Sequence, residues 1–226
     1  MCIRDRWVDH PSRLGAVPES VAQLHLARRC GLTPPRTLMS NDPERIRAFA
    51  ASCADGAIFK LLQSSSFQLV DEAGETSHVP TQVLEPEHLL DADRLRVCPM
   101  LYQERVPKAL ELRVTAVGQR LFVAALDTRA NPEVIDWRHI PERVGAFRAY
   151  DGLDSAVEAG IHRLLSTLGL QFATVDLIVT PAGRTVFLEL NTVSYFDWVE
   201  RAAGLPISTA MADLLMGEAP PRVSAR

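Results

Sequence analysis

The stretch from Thr174 to Asn191 constrains this chain most: two apolar runs, TVDLIV and TVFLELN, flank a short loop carrying Pro181 and Gly183. Runs of β-branched and aromatic residues on either side of turn residues predict a β-hairpin. With a four-residue loop, Pro181 to Arg184, Thr180 stands opposite Thr185 and Asp176 opposite Glu189. Successive side chains alternate faces, which puts Val175, Leu177, Val179, Val186, Leu188 and Leu190 together. That face is apolar throughout and requires burial. The other carries Asp176, Ile178, Phe187, Glu189 and Asn191.

Two carboxylates directly across an antiparallel pair repel, and partial burial makes both ionised forms more expensive. Two readings are open. The strand pair is half-exposed with its acids in water, or a divalent cation lies between them. Asp, Glu and Asn offer hard oxygen ligands of the kind Mg²⁺ takes together with phosphates. Phe187 and Ile178 on the same face make full solvation less comfortable.

The chain of 226 residues is long enough to bury a core as one large or two small domains. Its 47% hydrophobic and 23% charged residues are those of a soluble globular protein. A net charge of -4 gives no support to a nucleic-acid or membrane-surface role. No apolar run approaches the roughly 20 residues that cross a bilayer. Cys2, Cys30, Cys53 and Cys98 lie far apart without metal spacing and read as reduced, mostly buried thiols of a cytoplasmic protein.

Along the chain, MCIRDR resembles translated adapter sequence, so the chain reads as a fragment lacking its N-terminal part. A helix is expected from Pro18 to Cys30, then an extended PPRTLMS, then a helix capped by Asn41 or Asp42 with Pro43 in its first turn. AIFKLL is a short strand interrupted by Lys60. An unpaired ammonium is costly in a buried strand, so Lys60 either sits on an edge strand pointing outward or faces an anion such as phosphate. The serine run that follows, Ser64 to Ser66, could serve the same anion. FQLVDEAGETSHVPTQV predicts a hairpin turning at Asp71 to Gly74. Arg96 to Val106 predicts a strand, and ELRVTAVG with RLFVAAL a hairpin joined at Gly118-Gln119. There Glu111 and Arg113 share a face, which reads as solvated or as functional. Residues 128–150 read as an irregular connection. Helices are expected from Asp154 to Leu168 and from Leu205 to Met216, with residues 218–226 a disordered tail.

Taken in order, Lys60 on a strand, QERV at 103–106, ELR at 111–113, Asp176 and LELN at 188–191 resemble the ATP-grasp superfamily. VPKALELRVTAVG (106–118), with PPRTLMSNDP (34–43), DWR (136–138) and VDLIVTPAGRTVFLELN (175–191), is similar to the RimK-like branch, and within it to microviridin-type maturases of ribosomal peptides. The resemblance implies an α+β ATP-grasp fold, with ATP between the antiparallel sheets of two α+β lobes, residues 32–105 and 106–217. Residues 1–31 would be a remnant of linker and N-terminal helix.

The resemblance also implies roles. Lys60 would contact the α/β-phosphates, with Ser65 in the phosphate loop. Gln103, Glu104 and Val106 would form the hinge that meets adenine, and Glu111 would hold the ribose. Arg113, with Lys60, would act on the reacting phosphoryl group. Asp176, Glu189 and Asn191 would hold Mg²⁺. The implied reaction is ATP-dependent activation of a peptide or protein carboxylate as an acyl-phosphate, captured by an amine or hydroxyl. A homodimer is left open. Arg138 is read as a substrate contact or as a surface residue. Departures are Ser20 where relatives carry lysine, a serine loop where they are richer in glycine, and Thr192 where they place proline. Two alternatives accompany the ligase reading: an amino-acid ligase acting on a protein C-terminus, and a nucleotide-binding protein without ligase activity.

Overall fold

Proline and glycine punctuate the chain, and the described elements between them sort into two larger antiparallel sheets with helices packed on them and one two-stranded pair. The computed structural model describes residues 7–18, 20–62, 68–70, 76–78, 80–137 and 145–217. Ser65, Arg138, Cys2 with the MCIRDR start, the Asp71–Gly74 turn and the 218–226 tail lie outside the described residues.

In chain order the elements are α1 (Pro11–Leu14), α2 (Ser20–Arg29), β1 (Thr37–Ser40), α3 (Pro43–Ala51), β2 (Ala57–Lys60), β3 (Gln68–Val70), β4 (Thr76–His78) and β5 (Gln82–Val83). A 3₁₀ turn at Pro86–Leu89 precedes α4 (Ala92–Arg96), β6 (Met100–Glu104), β7 (Leu110–Val117), β8 (Arg120–Asp127) and β9 (Arg148–Ala149). The chain continues with α5 (Ser155–Leu168), β10 (Phe172–Val179), β11 (Thr185–Asn191), α6 (Asp197–Ala203) and α7 (Ile207–Met216). Among the described residues no helix is long and apolar enough to cross a membrane.

A four-stranded sheet has the order β1-β6-β2-β5, and a five-stranded sheet the order β11-β10-β7-β8-β9. β2 lies between β6 and β5, so Lys60 is on an interior strand rather than the edge strand that one sequence reading allowed. β3 and β4 pair with each other, Gln68 opposite His78.

Helix ends follow the sequence closely. The Asp42 side chain accepts from the Glu44 and Arg45 amides and caps α3, with Pro43 in the first turn. Asp154 caps α5 by accepting from the Ala156 amide, and Gly169 ends it at φ 67°. Arg96, expected to open a strand, instead closes α4, a helix that the sequence did not announce because too few residues show its period. α6 was missed for the same reason.

The main core lies on one face of the five-stranded sheet. There α5, through Ile161, Leu164 and Leu165, and α2, through Leu24 and Ala27, cover Leu112, Val114, Val175, Leu177, Phe187 and Leu190. Ile46 of α3 and Tyr102 of β6 anchor a separate core on the four-stranded sheet. Among the described cysteines, Cys30 and Cys53 are buried free thiols, but Cys98 is exposed.

Gly160 marks where α5 meets the segment after α2. An added Cβ would stand 2.7 Å from Leu32 Cδ2 and 3.3 Å from the Cys30 carbonyl oxygen. Gly160→Ala gains about 1 kcal/mol of helix propensity, but overpacking costs about 1–3 kcal/mol. The expected result is a net loss of about 1 kcal/mol in urea unfolding; a more stable variant would contradict this packing.

Candidate functional site

The hairpin of β10 and β11 closes more tightly than the sequence suggested. Thr180 N–H donates to the Arg184 carbonyl at 2.9 Å, and Gly183 adopts φ 80°. The loop is therefore three residues, Pro181 to Gly183, with glycine in the left-handed position that this loop length requires. Near the loop Val179 pairs with Thr185 and Leu177 with Phe187, one residue out of the expected register. A bulge at Leu188 then restores it, and Asp176 does stand opposite Glu189. The bulge corrects the predicted faces as well. Phe187 turns into the core beside Leu177, and Leu188 turns to the side of Ile178 and Glu189.

Strand pairing carries this row onward. Asp176 on β10 is opposite Arg113 on β7, so Glu189, Asp176 and Arg113 form one line across three strands. Arg113 Nη1 donates to Asp176 Oδ1 at 2.9 Å and Oδ2 at 3.2 Å, while Nη2 donates to Ser194 Oγ at 2.6 Å. The guanidinium also stacks 5.5 Å from the Trp198 ring centroid. Trp198, Trp137 and Phe147 pack edge-on or tilted, and their cluster covers Ala124, the next residue of the row on β8. With side chains of Arg113 and Asp176 only 13% and 18% exposed, the solvated reading of the Glu111–Arg113 face does not hold.

Asn191 Nδ2 reaches Glu189 Oε1 at 3.1 Å and Asp176 Oδ2 at 3.4 Å. Asn191 is thus within hydrogen-bonding reach of both expected carboxylate ligands. Among the described residues no group of three or more His, Cys, Asp and Glu side chains is arranged around a point. A set of two carboxylates and one amide nevertheless suits Mg²⁺, which takes one or two protein carboxylates and completes its shell with water and phosphate oxygens.

A pocket between the two sheets gathers Lys60, Gln103, Glu104 and Val106 from the first sheet and its outlet, and Glu111, Arg113, Asp176 and Glu189 from the second. Asp136 and Trp137 line it too. Asn191 lies in an adjoining concavity with Arg113, Ser194, Tyr195 and Trp198. Gln103 is buried, and its Nε2 donates to Thr37 Oγ1 at 3.0 Å. Glu104 Oε1 accepts from the Arg36 amide at 3.1 Å.

Sequence reasoning missed two polar residues here. Lys108 is buried, donates Nζ to Glu111 Oε1 and to the Ile135 carbonyl at 2.8 Å, and lines the pocket. Its three-residue spacing from Glu111 was the available signal. Ser194 lies two residues after Thr192, and nothing in its spacing pointed to Arg113.

Comparison of the sequence with protein-family models and with curated proteins found no match. Solved structures do match. Macrocyclase MdnC from Microcystis aeruginosa MRC, bound with precursor peptide MdnA, superposes with a TM-score of 0.80 at 34% identity, over 94% of this chain and 64% of that one. A Chryseobacterium gregarium RiPP-associated ATP-grasp ligase, in complex with ADP and a leader and core peptide, gives 0.85 at 27% identity, over 94% and 63%. ATP-grasp ligase PsnB, complexed with a precursor variant, Mg and ADP, gives 0.70 at 24% identity over 93% and 62%, a likeness of fold alone. The chain therefore spans less than two thirds of the length of these proteins.

The buried Lys108–Glu111 pair can be tested directly. Lys108→Met takes the ammonium away from the buried Glu111 carboxylate, so a loss of up to about 3–5 kcal/mol is expected in denaturant unfolding. Lys108→Met combined with Glu111→Met should recover most of it. Equal losses in the single and double variants would show that the pair is not what Lys108 contributes.

Proposed function

We propose that this chain, an α+β ATP-grasp protein related to the RimK-like ligases of ribosomal peptides, forms the nucleotide-binding part of an ATP-dependent ligase that activates a carboxylate of a ribosomally made peptide. The carrying observation is the Glu189–Asp176–Arg113 row, which faces a pocket also lined by Lys60 and by the 103–106 segment of the opposite sheet. The relatives with ADP and with precursor peptides support the choice of nucleotide and of peptide.

On this reading residues 32–105 and 106–217 are the two lobes, and ATP lies in the pocket between them. The 103–106 segment meets adenine by backbone and side chain. Glu111, held in place by Lys108, addresses the ribose. Lys60 contacts the α/β-phosphates. Asp176, Glu189 and Asn191 hold Mg²⁺, which when bound neutralises charge on the phosphate oxygens.

The peptide carboxylate oxygen attacks the γ-phosphorus. The bond from that phosphorus to the bridging oxygen of ADP breaks, and ADP leaves with the electron pair. The acyl-phosphate is then attacked at carbon by an amine or hydroxyl, which gives up its proton as inorganic phosphate departs. Arg113 offers a planar cationic fork to the oxygens of the transferred group, already oriented by Asp176, Ser194 and Trp198. No protein nucleophile is needed in this scheme.

Two measurements test it. ATP with Mg²⁺ at about 100 times its dissociation constant should stabilise the protein by about 2.7 kcal/mol in thermal unfolding. Glu189→Gln should remove the Mg²⁺-dependent part of that stabilisation and leave the remainder. A Mg²⁺ response unchanged by the substitution would sink the ligand role of Glu189, and no response to ATP at all would sink the site.

A further inference from the structure

Among the described residues β11 is an edge strand, and its outward backbone groups face no further strand. α2 supplies their partner. Gln23, only 6% exposed, meets Leu190 with both ends of its amide. Its Nε2 donates to the Leu190 carbonyl at 2.9 Å, and the Leu190 N–H donates to its Oε1 at 2.7 Å. The side chain stands where a neighbouring strand's peptide group would. Beyond the end of α2, the Thr33 carbonyl accepts from the Phe187 N–H, earlier on β11, at 2.8 Å.

The position of this clamp matters more than its strength. The Leu190 N–H belongs to the peptide unit joining Glu189 to Leu190, and the Leu190 carbonyl to the unit joining Leu190 to Asn191. Gln23 therefore fixes both peptide planes between the two β11 residues that face the site. It is itself held, because its neighbours Leu24 and Ala27 are buried in the core under the sheet. The Leu188 bulge, immediately before Glu189, gives this part of β11 an irregular pairing with β10 that a second, outer partner can steady.

We propose that Gln23 is a positioning residue for the metal site: it sets the directions of Glu189 and Asn191 by clamping Leu190, and so ties α2 to metal affinity. The proposal rests on the Mg²⁺ reading of Asp176, Glu189 and Asn191. Groups that orient metal ligands typically change affinity by about 10–100-fold when altered. A residue that only satisfied an edge strand would change stability and leave metal affinity alone.

The test is Mn²⁺ binding, followed by loss of the free-ion paramagnetic resonance signal, with a non-hydrolysable ATP analogue present. Gln23→Glu keeps the shape and the acceptor for the Leu190 N–H, but sets a carboxylate oxygen against the Leu190 carbonyl. It should weaken Mn²⁺ by about tenfold or more, with metal-free affinity for the analogue within about twofold of the parent. Glu189→Gln run in parallel separates the two ideas. Weaker Mn²⁺ in Glu189→Gln with parental affinity in Gln23→Glu overturns the positioning role alone, whereas parental affinity in Glu189→Gln overturns the metal reading beneath it. Should Gln23→Glu not fold, amide exchange in the unaltered protein decides. The Leu190 N–H should exchange as slowly as central-sheet amides and slow further with Mn²⁺ and analogue; exchange at the rate of an exposed amide overturns the clamp.

Discussion

Asp176 and Glu189 face each other across β10 and β11, and the surrounding structure is built to tolerate that. At about 5 Å and an effective dielectric near 20, two carboxylates repel by about 3 kcal/mol. Arg113 offsets this from the neighbouring strand, and Asn191 donates to both acids. The arginine has little room to leave, since Ser194 and the Trp198 face hold its other side. The result is a row of fixed charge on the sheet face opposite the main core.

The rest of the architecture serves that row. The core beneath the sheet, packed by α2 and α5, makes β7 and β10 rigid supports for Arg113 and Asp176. The four-stranded sheet brings Lys60 and the 103–106 segment to the opposite wall of the pocket. The buried Lys108–Glu111 pair and the Gln103–Thr37 contact fix the remaining polar groups in directions set by the fold rather than by solvent.

Much of this was legible in the sequence, for reasons that can be named. The Thr174–Asn191 hairpin announced itself by alternating apolar residues around Pro181 and Gly183, and the cap of α3 by Asn41-Asp42 standing before Pro43 and helical spacing; Asp154, expected as the first residue of α5, is its cap. The Asp176–Glu189 pairing was reached through two departures that compensate: the loop is one residue shorter than expected, and the Leu188 bulge restores the register. A bulge leaves no local mark that period-two reasoning can detect. That is also why Phe187 was assigned to the wrong face. Lys60 admitted an edge position until sheet order, a long-range property, placed β2 in the interior. Gln23 and Ser194 escaped because their partners lie on other elements, contacts that one-dimensional spacing does not register; Lys108 had its three-residue spacing from Glu111 as a signal, which was not used.

On the proposed reading, the Asp176–Glu189–Asn191 corner is where a divalent cation would carry the phosphates of a nucleotide. Crystals grown with ADP and Mn²⁺, with data collected near the manganese absorption edge, test it most directly. The predicted result is an anomalous peak between the Asp176 and Glu189 carboxylates, with the ADP phosphates reaching it from the pocket between the two sheets. Nucleotide bound elsewhere, or in the pocket with its metal away from these side chains, would contradict it.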